Sequence, residues 1–142
     1  MTSPELERLA DRGHLHREPP LRKEVEGLLR TGSDRLSDAR LETLSTISRF
    51  DLAYSAARAL ALAALRLQGY RSNQRYIVFQ AVSHTLGLPP AVWRLLAKAH
   101  LERNRIEYEG IADVSSTLLT DVIDTASRLL DEVEKLPLPE AP

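Results

Sequence analysis

The side chains of this sequence best able to act together lie in the stretch Ala99-His100-Leu101-Glu102-Arg103-Asn104-Arg105-Ile106-Glu107-Tyr108-Glu109-Gly110. On a helix, Val92, Leu96, Ala99, Arg103 and Ile106 fall on one stripe, so Arg103 sets a guanidinium into a row that otherwise faces a core. That position demands a partner. His100, Asn104, Glu107 and Tyr108 flank it, which gathers a cation, an amide, a carboxylate, an imidazole and a phenol over about two turns, ~11 Å. Such a cluster could hold a phosphate, for which arginine supplies planar, bidentate donors. Paired instead with Glu107 at i, i+4, Arg103 would serve only to close one end of a helical bundle. Both readings stay open at this level.

The remaining candidates are more dispersed. Arg71 and Arg75, beside Asn73 and Gln74 at the expected start of a helix, form the one locally basic turn, and arginines at such a place favour phosphate. A solvated, charged loop is the plain alternative. His14 and His16 have no partner at zinc spacing. His84 reads as a buried or rim histidine, and Tyr54, Tyr76, Phe79 and Trp93 as core or interface anchors. With no carboxylate–histidine cluster at ligand spacing and no glycine-rich phosphate loop, neither a metal-dependent nor a covalent hydrolase is expected, and no cofactor or metal.

The elements that must position these residues are helical throughout, because Ala, Leu, Arg and Glu dominate and no strand alternation survives inspection. A short helix over Pro4–Arg12 is followed by Gly13 and the pair Pro19-Pro20, which mark residues 1–20 as an arm or linker. Residues 21–136 should form the bundle and 137–142 a frayed tail. From Leu21 the row Leu21, Val25, Leu28, Leu29 is helical, and Thr31-Gly32-Ser33-Asp34 offers either a kink or a new N-cap before Leu36. Ser45 or Ser48 opens the longest helix, whose inner face of Ala53, Ala57, Ala61 and Ala64 ends at Gly69. A third helix carries Tyr76 to Leu86 and stops at Gly87. Pro89-Pro90 starts a fourth that runs to Gly110. Asp113 is the expected cap of the last, which holds Leu118, Leu119, Val122, Ile123, Ala126, Leu129 and Val133 on one face until Pro137. About five helices with short loops make an antiparallel all-α bundle.

Composition narrows the functions available. The 142 residues include no cysteine, which excludes disulfide frameworks, thiolate metal sites and cysteine nucleophiles. Nineteen Lys+Arg against twenty Asp+Glu leave a formal net charge of -1, so no global positive field gathers nucleic acid or anionic membrane. Anion binding must then be local. The longest apolar run, Ala59 to Leu65, is far below the ~20 residues of a membrane span, and the N-terminus lacks a signal-peptide core, so a cytoplasmic protein without membrane contact is expected.

Taken in order, Ser48-Arg49-Phe50-Asp51-Leu52-Ala53-Tyr54-Ser55-Ala56-Ala57-Arg58, Gly69-Tyr70-Arg71, Arg75-Tyr76 to Gly87, and Arg103-Asn104-Arg105-Ile106-Glu107-Tyr108 resemble the HEPN (higher eukaryotes and prokaryotes nucleotide-binding) superfamily over roughly residues 33–136. The resemblance implies a HEPN-like bundle and a nucleotide- or RNA-binding protein. Many members are metal-independent ribonucleases of toxin–antitoxin and phage-defence systems, often encoded beside a minimal nucleotidyltransferase, and act as dimers whose motifs meet at the interface. Their motif is an arginine, commonly followed by a polar residue, with a histidine four to six positions on. Arg103 and Asn104 match its first half, and Tyr108 stands where the histidine would be. RNA cleavage requires a general base and acid that imidazole provides near neutral pH and a phenol of pKa about 10 mostly does not. The resemblance thus assigns Arg103 and Tyr108 to any catalytic role and Arg103 and Asn104 to phosphate, to which the residue types and their spacing add His100, Arg71 and Arg75. It also implies a homodimer with the helix of Arg103 and Tyr108 at its interface. The alternative is a non-catalytic dimerisation or interaction module, or the partner subunit of a nucleotidyltransferase.

Overall fold

The computed structural model describes residues 3–110 and 114–140. Its elements are α1 (Pro4–Asp11), β1 (His16–Arg17), α2 (Arg22–Ala39), α3 (Thr46–Leu67), β2 (Tyr70–Arg71), α4 (Arg75–Gln80), α5 (Val82–Thr85), α6 (Pro90–Glu109) and α7 (Ser116–Glu134). The chain is an all-α bundle with α3 at its centre, packed chiefly against α2 and α7 and touched by α4, α5 and α6 along its length. Alanine makes that crowding possible, because Ala53, Ala56, Ala57, Ala61, Ala63 and Ala64 are all essentially inaccessible and keep the axis within reach of several neighbours.

Local chemistry sets the ends. The Ser45 hydroxyl accepts from the Ser48 amide at 3.2 Å and caps α3. Gly69, with φ at 89°, closes the other end in the left-handed conformation that side chains resist. Of the two arrangements open for residues 21–41, one continuous helix forms. Gly32 sits inside it, buried against α3, and a Cβ there would stand 2.6 Å from the Leu60 side chain. The third expected helix divides at Ala81 into α4 and α5, where the His84 amide reaches the Ala81 carbonyl three residues back at 2.8 Å. Helix α7 is capped by Ser115, whose hydroxyl accepts from the Leu118 amide at 3.1 Å. The expected cap Asp113 lies outside the described residues.

The N-terminal segment is docked on the bundle. Leu6 and Leu15 are both buried in the main core. β1 pairs antiparallel with β2, His16 opposite Arg71 and Arg17 opposite Tyr70, a small sheet where no strand was expected. Gly13 and the proline pair break the helix but not the contact, since an extended chain still buries its leucines. Beneath this segment lies Arg66 of α3, wholly buried, whose guanidinium is surrounded by acceptors. Its Nε meets the Glu24 carboxylate at 2.5 Å, Nη1 donates to the carbonyls of Glu18 at 3.0 Å and Tyr70 at 3.1 Å, and Nη2 donates to the Pro19 carbonyl at 2.9 Å. The Glu18 carboxylate adds an ion pair at 3.2 Å. A second network joins α1 to the sheet, with the Tyr70 hydroxyl donating to Glu7 and Arg17 bound to Glu7 at 2.9 Å and Asp11 at 2.7 Å.

Candidate functional site

The cluster read from the sequence assembles where α3, the start of α4 and the middle of α6 meet. Asp51, Tyr54 and Arg58 share a face of α3 at i, i+3 and i+7, and His100, Arg103, Asn104 and Glu107 share a face of α6. The Tyr54 ring is buried, edge-on to Phe79 with centroids 5.8 Å apart, so its hydroxyl end is held in one place. That hydroxyl meets His100 Nδ1 at 2.9 Å, and the two rings lie nearly parallel with centroids 6.0 Å apart. On the other side of the imidazole, Asn104 Nδ2 stands 3.3 Å from Nε2. With the amide nitrogen turned to Nε2, that nitrogen accepts, so the proton of a neutral ring is assigned to Nδ1 and donated to the Tyr54 oxygen. The Tyr54 hydroxyl hydrogen is then left to serve a further acceptor.

Arginines surround this pair. Arg103 lies over the Tyr54 ring, its guanidinium carbon 5.4 Å from the centroid, and binds Asp51 at 3.2 Å and Glu107 at 3.1 Å. The i, i+4 pairing with Glu107 is therefore present, with Asp51 from α3 as a second carboxylate. Arg75, at the first position of α4, faces the Tyr54 hydroxyl, and Arg58 lies near enough for its charge to be felt there. Burial raises the Tyr54 pKa against the pull of Arg75, Arg103 and Arg58. For His100, burial and then the charges of Arg75 and Arg103 all lower the pKa, favouring the neutral ring. Arg58 is likewise lowered, by partial burial and then by Arg75, while remaining a cation. Neither Arg58 nor Arg75 forms an ion pair with any described residue, whereas Arg103 and Arg71 each hold two carboxylates.

A groove of about 280 Å³ opens beside Arg103, between Ile47, Phe50 and Ile106. Its rim carries Asp51 and Glu107 to the single guanidinium of Arg103, an excess of negative charge that disfavours phosphate there. Among the described residues no three His, Asp or Glu side chains come together as a metal site would need. No helix is long and apolar enough to cross a membrane, again among the described residues.

Set beside family models, characterised proteins and solved structures, the chain matches none of them. Its own geometry must therefore carry the reading. His100, Arg103, Asn104 and Arg75 are brought together. Arg71 is not, because Glu18 and Glu24 occupy its guanidinium beside the buried Arg66. Tyr108 stands near the end of α6 with 80% of its surface exposed. Sequence reasoning overlooked Arg58 and took Tyr54 for an anchor. A signal was there in the charges: residues 52–101 contain no Asp or Glu at all, yet hold Arg58, Arg66, Arg71, Arg75, Arg94 and Lys98. The near-zero net charge of the chain averages over that long basic segment.

Proposed function

We propose that this protein binds the phosphate of a nucleotide or RNA at the junction of α3, α4 and α6, as a HEPN-like domain. One observation carries the reading: Arg58 and Arg75, two guanidiniums without carboxylate partners among the described residues, stand beside the Tyr54–His100–Asn104 array. A phosphate there takes charge-assisted hydrogen bonds from both arginines and from the Tyr54 hydroxyl. Arg103, already occupied by Asp51 and Glu107, positions the Tyr54 ring and sets the register of α6 against α3. Such a ligand fits a cytoplasmic site of action, where nucleotides and RNA are found.

Residual ribonuclease chemistry, of the toxin–antitoxin or defence kind, would depend on His100 releasing Nε2 from Asn104, so that its neutral ring accepts the proton of a 2′-hydroxyl. Tyr108 occupies the position of the family's histidine, and its exposure leaves room for an imidazole. Titration of labelled single-stranded RNA tests the binding. Arg58→Ala and Arg75→Ala are each expected to weaken it by about tenfold or more, the worth of a hydrogen bond to a charged group, and Arg103→Ala to lower the melting temperature as well as affinity. Tyr108→His should raise cleavage above wild type. Equal binding by wild type and the Arg58→Ala/Arg75→Ala double variant overturns the reading.

A second reading, a dimerising or interaction module, is favoured by Leu101 and Tyr108, which lie seven residues apart on α6 with 62% and 80% of their surfaces exposed. A second copy of the chain or a nucleotidyltransferase subunit seated there would cover both. Light scattering at micromolar concentration should then show a dimer that Leu101→Glu converts to monomer, and a strictly monomeric wild type refutes the homodimer.

A further inference from the structure

Helix α6 carries a second feature on the face that holds His100. Seven residues earlier, hence on the same side and about 10 Å along the axis, is Trp93. Tyr76, next in the chain to Arg75, meets it edge-on with ring centroids 5.6 Å apart, and half of the Tyr76 surface, 51%, is open to solvent. The Arg94 guanidinium lies 5.6 Å from the Trp93 ring and adds a cation without an ion-pair partner among the described residues. An aromatic pair, Tyr76 exposed and Trp93 half-buried, thus adjoins Arg75 inside the segment that lacks any carboxylate.

We propose that Tyr76, backed by Trp93, is a stacking platform for an unpaired base, so that the ligand of the phosphate site is single-stranded nucleic acid. The inference rests on the phosphate reading above and deepens it. Positive charge that tracks a backbone, together with aromatic faces that receive bases irrespective of sequence, is how single strands are held. A base locked in a duplex presents no free face to such a platform. Tyr76 follows Arg75 directly in α4, so a strand stacked on the one has a phosphate within reach of the other.

Trp93 is the only tryptophan of the chain, and its fluorescence reports on this patch alone. The test titrates the full-length protein with hexa-adenylate RNA, an abasic hexamer of equal phosphate count, and an RNA duplex, following Trp93 emission and labelled-ligand anisotropy. Wild type is expected to bind hexa-adenylate roughly tenfold more tightly than the abasic hexamer, with a change in Trp93 emission. Tyr76→Ala should abolish that preference and Tyr76→Phe should retain it. Equal affinity for the two hexamers, lost on Arg75→Ala but not on Tyr76→Ala, overturns the platform and leaves the phosphate site standing. Binding of neither overturns both. Preference for the duplex, or a Tyr76→Ala variant altered only in oligomeric state, assigns the patch to another partner and overturns the proposal as well.

Discussion

His100 is held toward its neutral form by its surroundings, because burial and two arginines all disfavour the imidazolium. Its folded pKa lies below the ordinary value of 6.5, so as pH falls the unfolded chain takes up this proton before the native protein does. The stability His100 contributes is therefore complete above pH 6.5 and declines as pH drops below it. Urea midpoints at pH 7.5 and 5.5 for wild type and His100→Gln measure this. The wild type should lose more on acidification than the variant, and parallel losses would show that neither burial nor the charges of Arg75 and Arg103 hold the ring neutral. A phosphate bound as proposed would oppose this shift, since a nearby anion favours the imidazolium.

At the scale of elements, the decisive contact is between α2 and α3. Gly32 is a poor helix former, costing about 1 kcal/mol relative to alanine in an open helix, yet here its missing side chain is what lets the two axes approach. Leu60, fully buried itself, fills the place a Cβ would take. Gly32→Ala is accordingly expected to destabilise the fold by about 1–3 kcal/mol, the cost of overpacking, in spite of the gain in helix propensity. Chemical denaturation decides the sign. A stabilised variant would mean that α2 is free to draw back from α3. Ala57→Leu, on the same alanine surface, should behave alike.

Over the whole molecule, Arg66 ties the N-terminal segment to the bundle. Its charge is removed from water completely, and the carbonyls of Glu18, Pro19 and Tyr70 with the carboxylates of Glu18 and Glu24 replace the lost hydration. Removing the guanidinium leaves the carbonyls of Glu18, Pro19 and Tyr70 without their donor, at about 1–3 kcal/mol for each buried group left unpaired, and Arg66→Ala is expected to destabilise the fold by about 3 kcal/mol or more. The loss should also free the segment before α2, so limited proteolysis of the variant would cut within residues 3–20 before the bundle unfolds. If cleavage in that segment and global unfolding stay coupled, Leu6 and Leu15 hold it without help from Arg66.

Much of the fold was legible because it is local. Helix periodicity, the Ser45 cap, Gly69, Gly87 and Gly110 at their C-terminal ends and the proline pair before α6 all act within a few residues. The same locality brought His100, Arg103, Asn104 and Glu107 to one face of α6, since spacing on a helix is geometry. Contacts between distant segments have no such signature. Nothing in the spacing of residues 1–20 indicated that Leu15 would enter the core, or that Arg66, forty-two positions beyond Glu24, would be sealed beneath the chain there. Nor did it separate Arg71 from Arg75, four residues apart: one lies beside Glu18 and Glu24 and is neutralised, the other turns to Tyr54 and keeps its charge. A guanidinium is available to a ligand only if no carboxylate reaches it first, and that is settled by which helices meet.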